Sequence, residues 1–279
     1  MFKNAMLLSN CMPQRTQSPS SINMFKQCPR KYYYRYIEKR PTKPSIHLVR
    51  GTVAHSVLEH FFEEPIQPTG GGWRTDLQLH VLRLLERFWL EHQEEFNQLD
   101  ETPEELAAYK EETKRMVLRW VHHFGNRLEC FLDDMSFEQA FSLLTPRREE
   151  EYRDNELNVR GYIDAIEEVD GRVELIDYKT SKKPEITTEY RLQLGIYALL
   201  YLRRHSKIPD GVGIHFLRHD KQVMQVNDDL LLDAQFEIEQ VHMLTQTVDI
   251  RDYPKNITPL CNWCDYYSLC FGKQKQQTL

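Results

Sequence analysis

Two short apolar runs in the middle of the chain constrain its fold more than any other feature, because each carries an aspartate. Val173, Leu175 and Ile176 make the second run apolar on both faces, which is typical of a strand buried within a sheet. Asp177 ends this run, and Asp164 lies in a similar run just upstream. With helical patterns before and after them, these runs predict an α/β domain in which helices flank a central mixed sheet. Charged residues at the end of an internal strand are costly to keep there, so both aspartates are candidates for a functional site.

Lys179 follows Asp177 by two residues, so in a strand both side chains leave the same face. Together with Asp164 they form a set suited to a divalent cation, because Mg²⁺ and Mn²⁺ take carboxylate, water and phosphate oxygens. A lysine nearby can orient or deprotonate a water, or stabilise a charged transition state. These residue types predict cleavage of a phosphodiester. Since Asp-x-Lys triplets are common, a surface hairpin with solvated charges is the alternative from the triplet alone.

Hydrophobic periodicity and turn residues predict the remaining elements. A helix is expected from Ser21 to about Ile37, a second one around His55, and a glycine-rich loop from Pro65 to Gly72. The pattern from about 75 to 144 is helical and is broken near 100–103. The order expected after it is strands near 147–153, 156–168 and 172–179, a helix over 187–205, strands near 211–218 and 221–226, and a helix over about 228–247.

Three short motifs follow one another in this part of the chain. They are G-x-x-D ending at Asp164, D-Y-K from Asp177 to Lys179, and Q-x-x-x-Y from Gln193 to Tyr197. In this order they resemble the PD-(D/E)xK nucleases of the RecB type, a group that includes the RecB and AddB nuclease domains and the CRISPR-associated RecB-like exonucleases. The family often has glutamate in place of Asp177, and both residue types occur.

Two upstream segments extend the resemblance, which covers about residues 18–270. Gly51 to His55, with the sequence G-T-V-A-H, resembles the helix that gives this group a metal-binding histidine. On the residues alone, a lone histidine among apolar neighbours is more often part of the core. Glu59, one helical turn later, is a candidate partner for His55. Cys28 and Pro29 lie in a segment that resembles the one supplying a lone cysteine to an iron–sulfur cluster.

Transferred residue by residue, the resemblance implies one metal site with assisting groups beside it. The implied ligands are His55, Asp164, Asp177 and the carbonyl of Tyr178. Lys179 would act on the water or on the transition state, and Gln193 and Tyr197 would assist, in contact with DNA or with Lys179. By their spacing, Gln193 and Tyr197 share one face of a helix. The alternative for this pair is a buried helix whose polar residues find local partners.

The chain has six cysteines, of which three are clustered near its C-terminus: Cys261, Cys264 and Cys270. We expect a reducing, cytoplasmic setting, since the sequence shows neither a signal peptide nor an apolar run long enough to span a membrane. Clustered cysteines there bind metal rather than form disulfides. The residues alone leave zinc and an iron–sulfur cluster open. The resemblance implies a [4Fe–4S] cluster with Cys28 as the fourth ligand. Cys11 and Cys130 are expected to be a tail thiol and a helix-packing thiol.

The charge of the chain limits what kind of DNA-binding protein it can be. A formal net charge of −6 over 279 residues argues against a basic protein that coats DNA, but it allows a nuclease with segregated charge. Seven basic residues between Lys26 and Lys43 are interleaved with four tyrosines, which suits a path for single-stranded DNA. A solvated helix face over a tyrosine-rich core fits equally well. Lys182 and Lys183, just after the strand of Lys179, are better placed to meet phosphate.

These features predict a loose tail over residues 1–17 and a single nuclease domain over 18–279, with a helical insertion at about 75–145 and a cluster-binding segment at 255–279. The predicted activity is Mg²⁺- or Mn²⁺-dependent cleavage of DNA by an exonuclease acting on single strands or ends. The resemblance suggests three pathways: recombination, repair and CRISPR spacer acquisition. It also suggests a helicase or a CRISPR integrase as a partner. One alternative is a non-cutting DNA-binding or assembly subunit of a helicase–nuclease complex. Another is a zinc-stabilised regulatory protein, which would leave the two aspartates and the lysine unexplained.

Overall fold

The computed structural model describes residues 15–64, 66, 68 and 72–272, and its centre is a five-stranded mixed sheet. The strands lie side by side in chain order, and neighbours are antiparallel except for the third and fourth, which are parallel. The mixed sheet predicted from the sequence is therefore confirmed. The strands are β1 (Arg147–Asp154), β2 (Val159–Val169), β3 (Arg172–Lys179), β4 (Gly211–Phe216) and β5 (Lys221–Gln225).

Helices cover both faces of this sheet. In chain order they are α1 (Pro19–Gln27), α2 (Pro29–Tyr32), α3 (Ile46–His60), α4 (Trp73–Glu91), α5 (Gln93–Asn97), α6 (Pro103–Glu129), α7 (Phe137–Leu144), α8 (Thr188–His205), α9 (Asp228–Leu244) and α10 (Tyr267–Phe271). The helices α1, α2, α8 and α9 share a core with Ile163 and Leu175 of the sheet. The helices α3 to α7, which include the predicted helical insertion, share a core with Ile176 and Tyr178. No helix among the described residues is long and apolar enough to cross a membrane.

The connections around β3 fix the place of its last residues. Asp170 and Gly171, both with positive φ (52° and 75°), join β2 to β3, as in a two-residue type I′ hairpin. Parallel strands need a crossover connection, and α8 provides it between β3 and β4. α8 therefore packs on the same side of the sheet as Val173 and Leu175. Because side chains alternate between the two faces of a strand, residues 177 and 179 lie on the same face as residues 173 and 175. Their side chains therefore also face α8.

The helix predicted from Ser21 to Ile37 is interrupted at Cys28. This residue has extended backbone (φ −163°, ψ 110°) between α1 and α2. The cause is Pro29, because the residue before a proline is disfavoured in the helical region. A π-helical turn over Tyr33–Ile37 follows α2. The prediction of one continuous helix is wrong, and Cys28 lies at a bend between two short helices.

The packed structure begins before residue 17, the last residue of the predicted tail. Gln17 is fully buried, and its backbone exchanges hydrogen bonds with Asn158 and Arg160 at the start of β2. Residues 15–17 therefore belong to the packed structure. The rest of the predicted tail, with Cys11, lies outside the described residues.

A partly buried ionic group ties three segments of the chain together behind the end of β3. Glu112 on α6 accepts hydrogen bonds from Arg50 on α3 and from Arg218, which follows β4. The bond from Arg218 lowers the pKa of Glu112 to about 2, so the carboxylate stays charged. Arg218 Nε also donates to the carbonyl oxygen of Thr180 at 3.0 Å. The group thereby fixes the chain immediately after Lys179.

Candidate active site

The candidate site lies where the pairing of β2 and β3 ends. The ladder runs from Val169–Arg172 to Ala165–Ile176, and the next pair in this register would be Asp164 with Asp177. That pair is not formed. Instead, the Asp164 carboxylate accepts the backbone N–H of Tyr178 at 2.7 Å. The two aspartates therefore lie at a split between neighbouring strands.

Asp177 is held on the α8 side of this split by two side chains. Lys179 Nζ lies 2.5 Å from Asp177 Oδ2, which agrees with the predicted common face. Gln193 Nε2 donates to Asp177 Oδ1 at 2.7 Å and to the Tyr197 hydroxyl at 2.8 Å. The structure thus brings Gln193 and Tyr197 to the acid rather than to Lys179.

The glycine of the G-x-x-D motif has a packing role in this arrangement. A Cβ atom on Gly161 would lie 3.0 Å from Cε1 of Tyr197, which is closer than side chains normally approach. Glycine at this position therefore lets the Tyr197 ring pack directly on β2. The ring in turn places its hydroxyl beside Gln193.

His55 approaches the split from α3, on the other side of the sheet. Its Nε2 lies 3.0 Å from the carbonyl oxygen of Tyr178, and its Nδ1 lies 3.4 Å from Asp164 Oδ2. Burial lowers the pKa of His55, which favours the neutral imidazole that metals require. Glu59, the predicted partner of His55, lies 3.9 Å from the His60 ring instead.

Glu149 is a member of this group that the sequence did not reveal. Its carboxylate and the ligand atoms of His55 and Asp164 all lie within 4.8 Å of one another. Glu149 and Asp164, which would be opposite each other in the register of β1 and β2, do not form a pair. Glu149 has a left-handed φ of 47°. Strained backbone of this kind is concentrated at functional sites. Glu149 is one of three consecutive glutamates, and only the local backbone distinguishes it.

Asp164 lies among other carboxylates, and Lys179 is a cation close to this group. Burial, and then the charge of Asp177, raise the pKa of Asp164 well above its usual range. Burial alone would lower the pKa of Lys179, but the negative charges of Asp177 and Asp164 outweigh this effect and raise it. One imidazole, several carboxylates and a backbone carbonyl form the hard donor set that suits Mg²⁺ or Mn²⁺. Asp177 is engaged by Lys179 and Gln193 and lies outside the tight group of three.

The four predicted cluster ligands line one small cavity: Cys28, Cys261, Cys264 and Cys270. They meet there although Cys28 is more than 200 positions from the others in sequence. Burial raises the pKa of Cys270, and the nearby Cys264 and Cys28 act in the same direction. Cys130 lies at the C-terminal end of α6 and is exposed, so its prediction as a helix-packing thiol is wrong.

The tyrosines of the basic N-terminal segment are part of the core rather than a stacking surface. The rings of Tyr32, Tyr33 and Tyr34 are buried. The Tyr32 and Tyr33 rings pack against Tyr253 at 6.2 and 5.1 Å between ring centres. Buried rings cannot stack on bases, so the tyrosine-rich core is the correct alternative. Lys182 is exposed in the loop that follows β3, as is its neighbour in sequence, Lys183.

The sheet and the carboxylate–lysine group at its split together define a nuclease core. A family model agrees with this class over residues 16–271, and the chain belongs to the PD-(D/E)XK nuclease superfamily. It is 25% identical over 238 residues to the Gene 69 protein of Mycobacterium phage L5, covering 74% of this chain and 77% of that protein. The Gene 69 protein of Mycobacterium phage D29 is 26% identical over 221 residues, covering 72% and 74%.

The crystal structure of a candidate exonuclease from Eubacterium rectale has a similar fold. It superposes with a TM-score of 0.53 at 12% identity, over 100% of this chain and 96% of that one. At this identity the likeness concerns the fold alone.

Replacing Glu149 by glutamine should stabilise the metal-free protein at pH 8 but not at pH 4.5. Burial, and then the charge of Asp164, raise the pKa of Glu149 to about 7 from its ordinary 4.5. The native state therefore holds a proton that the unfolded state has released, so stability falls as the pH rises from 4.5 through 7. Removing this charge should contribute about 1–2 kcal/mol at pH 8, measured by urea unfolding in EDTA. Glu151→Gln, an exposed change on the same strand, is the matched control. Equal stability of Glu149→Gln and the parent at pH 8 would contradict this account.

Proposed function

We propose that this protein is a divalent-metal-dependent deoxyribonuclease that acts as an exonuclease on single strands or DNA ends. The observation that carries the proposal is the convergence of His55, Asp164, Asp177 and Lys179 at the split of β2 and β3, in a member of a nuclease superfamily. DNA is the proposed partner. A helicase or integrase partner, and a role in recombination, repair or CRISPR adaptation, stay predictions from the resemblance.

The residues at the split are suited to hold the metal on which this activity depends. His55, Asp164, Asp177 and the carbonyl of Tyr178 are the proposed ligands, and Glu149 lies within reach of the same position. A bound divalent ion would supply a Lewis acid for the scissile phosphate. Because the acids are crowded and partly buried, a cation between them would also relieve their mutual repulsion.

The groups on the α8 side would act on the reacting phosphate directly or by positioning one another. The raised pKa of Lys179 favours its charged form, which donates hydrogen bonds, so we assign it to charge stabilisation and to orientation of the attacking water. Asp177 holds Lys179 in place. Gln193 orients Asp177, and Tyr197 supports Gln193.

A second proposal concerns the four cysteines, which we assign to a [4Fe–4S] cluster. Three come from the C-terminal segment and Cys28 from the bend between α1 and α2. A lone distant ligand joined to a local set suits an iron–sulfur cluster better than structural zinc, which usually draws on two local pairs. The cluster would tie the N-terminal helices to the C-terminal segment and would need a reducing compartment such as the cytoplasm. It would have no part in the cleavage step.

The proposed activity predicts that purified protein with Mn²⁺ or Mg²⁺ degrades linear single-stranded DNA, that EDTA stops the reaction, and that circular single strands survive. Asp177→Ala and Lys179→Ala should each lower turnover by about 100-fold or more, because each removes a group that stabilises the transition state. Asp133→Ala and Lys207→Ala, at exposed positions on other elements, serve as charge-matched controls. A Lys179→Ala variant that cuts as fast as its parent would refute the site.

The proposed cluster predicts that anaerobically purified protein contains iron and sulfide and absorbs at roughly 400 nm, as thiolate-bound iron clusters do. Cys28→Ala should lose the iron and melt at a lower temperature. Without the cluster, the long segment between Cys28 and Cys261 is no longer closed into a loop, so the chain gains more entropy on unfolding than the parent does. Cys130→Ala, which changes an exposed thiol elsewhere, should retain both properties. Colourless protein with one zinc per chain would contradict the assignment.

A further inference from the structure

The cleft that contains the candidate catalytic group has a second wall of opposite charge. The cleft has a volume of about 380 Å³, and the residues at the split of β2 and β3 form one side of it. Residues 15–20 and the start of β2 form the other side, where Arg15, Ser18, Ser20 and Arg160 supply the polar side chains. The residues of this second wall that line the cleft include two arginines, whereas the lining carboxylates, Asp164 and Asp177, belong to the first wall. The first wall is rich in carboxylates and would repel a phosphate on its own.

Among the described residues, Arg15 is held in place by contacts other than an ion pair. Its guanidinium carbon lies 4.0 Å from the centre of the Tyr36 ring, and Nη1 donates to Gln17 Oε1 at 3.1 Å. Within the described part of the chain, no carboxylate lies within ion-pair distance of Arg15, whereas Arg50 and Arg203 each pair with an acid. An arginine has five N–H donors, and the described contacts of Arg15 leave most of them available. A guanidinium that lines this cleft, and that has no carboxylate partner in the described part of the chain, is suited to bind an anionic ligand.

Gln17, which accepts the hydrogen bond from Arg15, is itself anchored by burial and by several hydrogen bonds. Gln17 is fully buried, and its side chain binds the hydroxyls of Tyr32 and Ser21 at 2.8 and 2.7 Å. Its backbone pairs with residues 158 and 160. The same pairing sets Arg160 beside Gln17. The Arg160 side chain is half exposed, and its Nη1 lies 3.4 Å from Glu151 Oε1. The pairing of Gln17 with β2 thus brings two arginines that line the cleft close together in the fold.

We infer that Arg15, assisted by Arg160, forms a phosphate subsite that binds the DNA strand next to the bond that is cut. This inference rests on the proposed nuclease function and adds the contact that seats the substrate. A guanidinium can bind a phosphate through two parallel hydrogen bonds, which fixes orientation as well as position. The subsite would hold the strand against the carboxylate wall so that the scissile phosphate meets the metal position and Lys179. The phosphate can be an internal one or a terminal one, since their chemistry is the same.

The test compares Arg15→Gln with Arg83→Gln, which removes the same charge from an exposed position on α4. Binding of a labelled single-stranded oligonucleotide is measured by anisotropy in the Lys179→Ala background over a range of salt concentrations. Arg15→Gln should bind about tenfold more weakly, as expected for the loss of one charge-assisted contact. The slope of log K against log salt should become shallower by about 0.7, the value for one phosphate of a single strand. Arg83→Gln should change neither quantity, and Arg15→Lys should recover part of the affinity but not all of it.

Steady-state cleavage by the otherwise wild-type enzyme separates binding from chemistry. Arg15→Gln should raise KM with a smaller change in kcat, because the contact exists before and during the reaction. Oligonucleotides with a 5′-phosphate or a 5′-hydroxyl identify the phosphate. An effect confined to the phosphorylated end assigns the subsite to a terminal phosphate, and an equal effect on both assigns it to an internal one. Unchanged affinity, salt slope and KM in folded Arg15→Gln would overturn the subsite while the nuclease function stands. A parent protein that neither binds nor cuts DNA would refute the proposed function itself.

Discussion

The hydrogen bond from the Tyr178 backbone N–H to the Asp164 carboxylate is the interaction on which the candidate site depends. It lies just beyond Ala165 and Ile176, where the pairing of β2 and β3 ends. The split leaves both aspartates at the end of the sheet and presents the Tyr178 carbonyl to His55. Helices from both layers then reach the same place, α3 with His55 and α8 with Gln193.

The charge distribution around the split favours the binding of cations from outside the sheet. Asp164, Asp177 and Glu149 lie close together in a partly buried position, and the pKa values of Asp164 and Glu149 are raised as a result. Lys179 compensates for only part of this charge. A divalent ion would compensate for more of it, and the subsite inferred at Arg15, which lines the same cleft, would offset the repulsion that a DNA phosphate meets. The positive and negative halves of the cleft come from separate segments of the chain, which the pairing of Gln17 with β2 brings together.

The parts of the site that depend on local periodicity could be predicted from the sequence. The common face of Asp177 and Lys179 follows from the strand period, and that of Gln193 and Tyr197 from the helix period. The parts that depend on tertiary structure could not. Glu149 is one of three adjacent glutamates, and its left-handed backbone results from strand pairing. The tyrosines around Tyr33 offered two equal alternatives until the fold showed which side of them is covered. The break at Cys28 had a local signal in Pro29, but the apolar pattern that continues past it favoured one helix.

Anomalous diffraction from crystals soaked in Mn²⁺ tests the central claim most directly, because it locates the ion without depending on activity. The account predicts an anomalous peak at the split of β2 and β3, with His55 Nε2, Asp164 and the Tyr178 carbonyl among its ligands. The same peak should be absent from crystals of Asp164→Asn. A protein that cleaves DNA with Mn²⁺ but binds the ion only elsewhere, without contact to His55 or Asp164, would contradict the account.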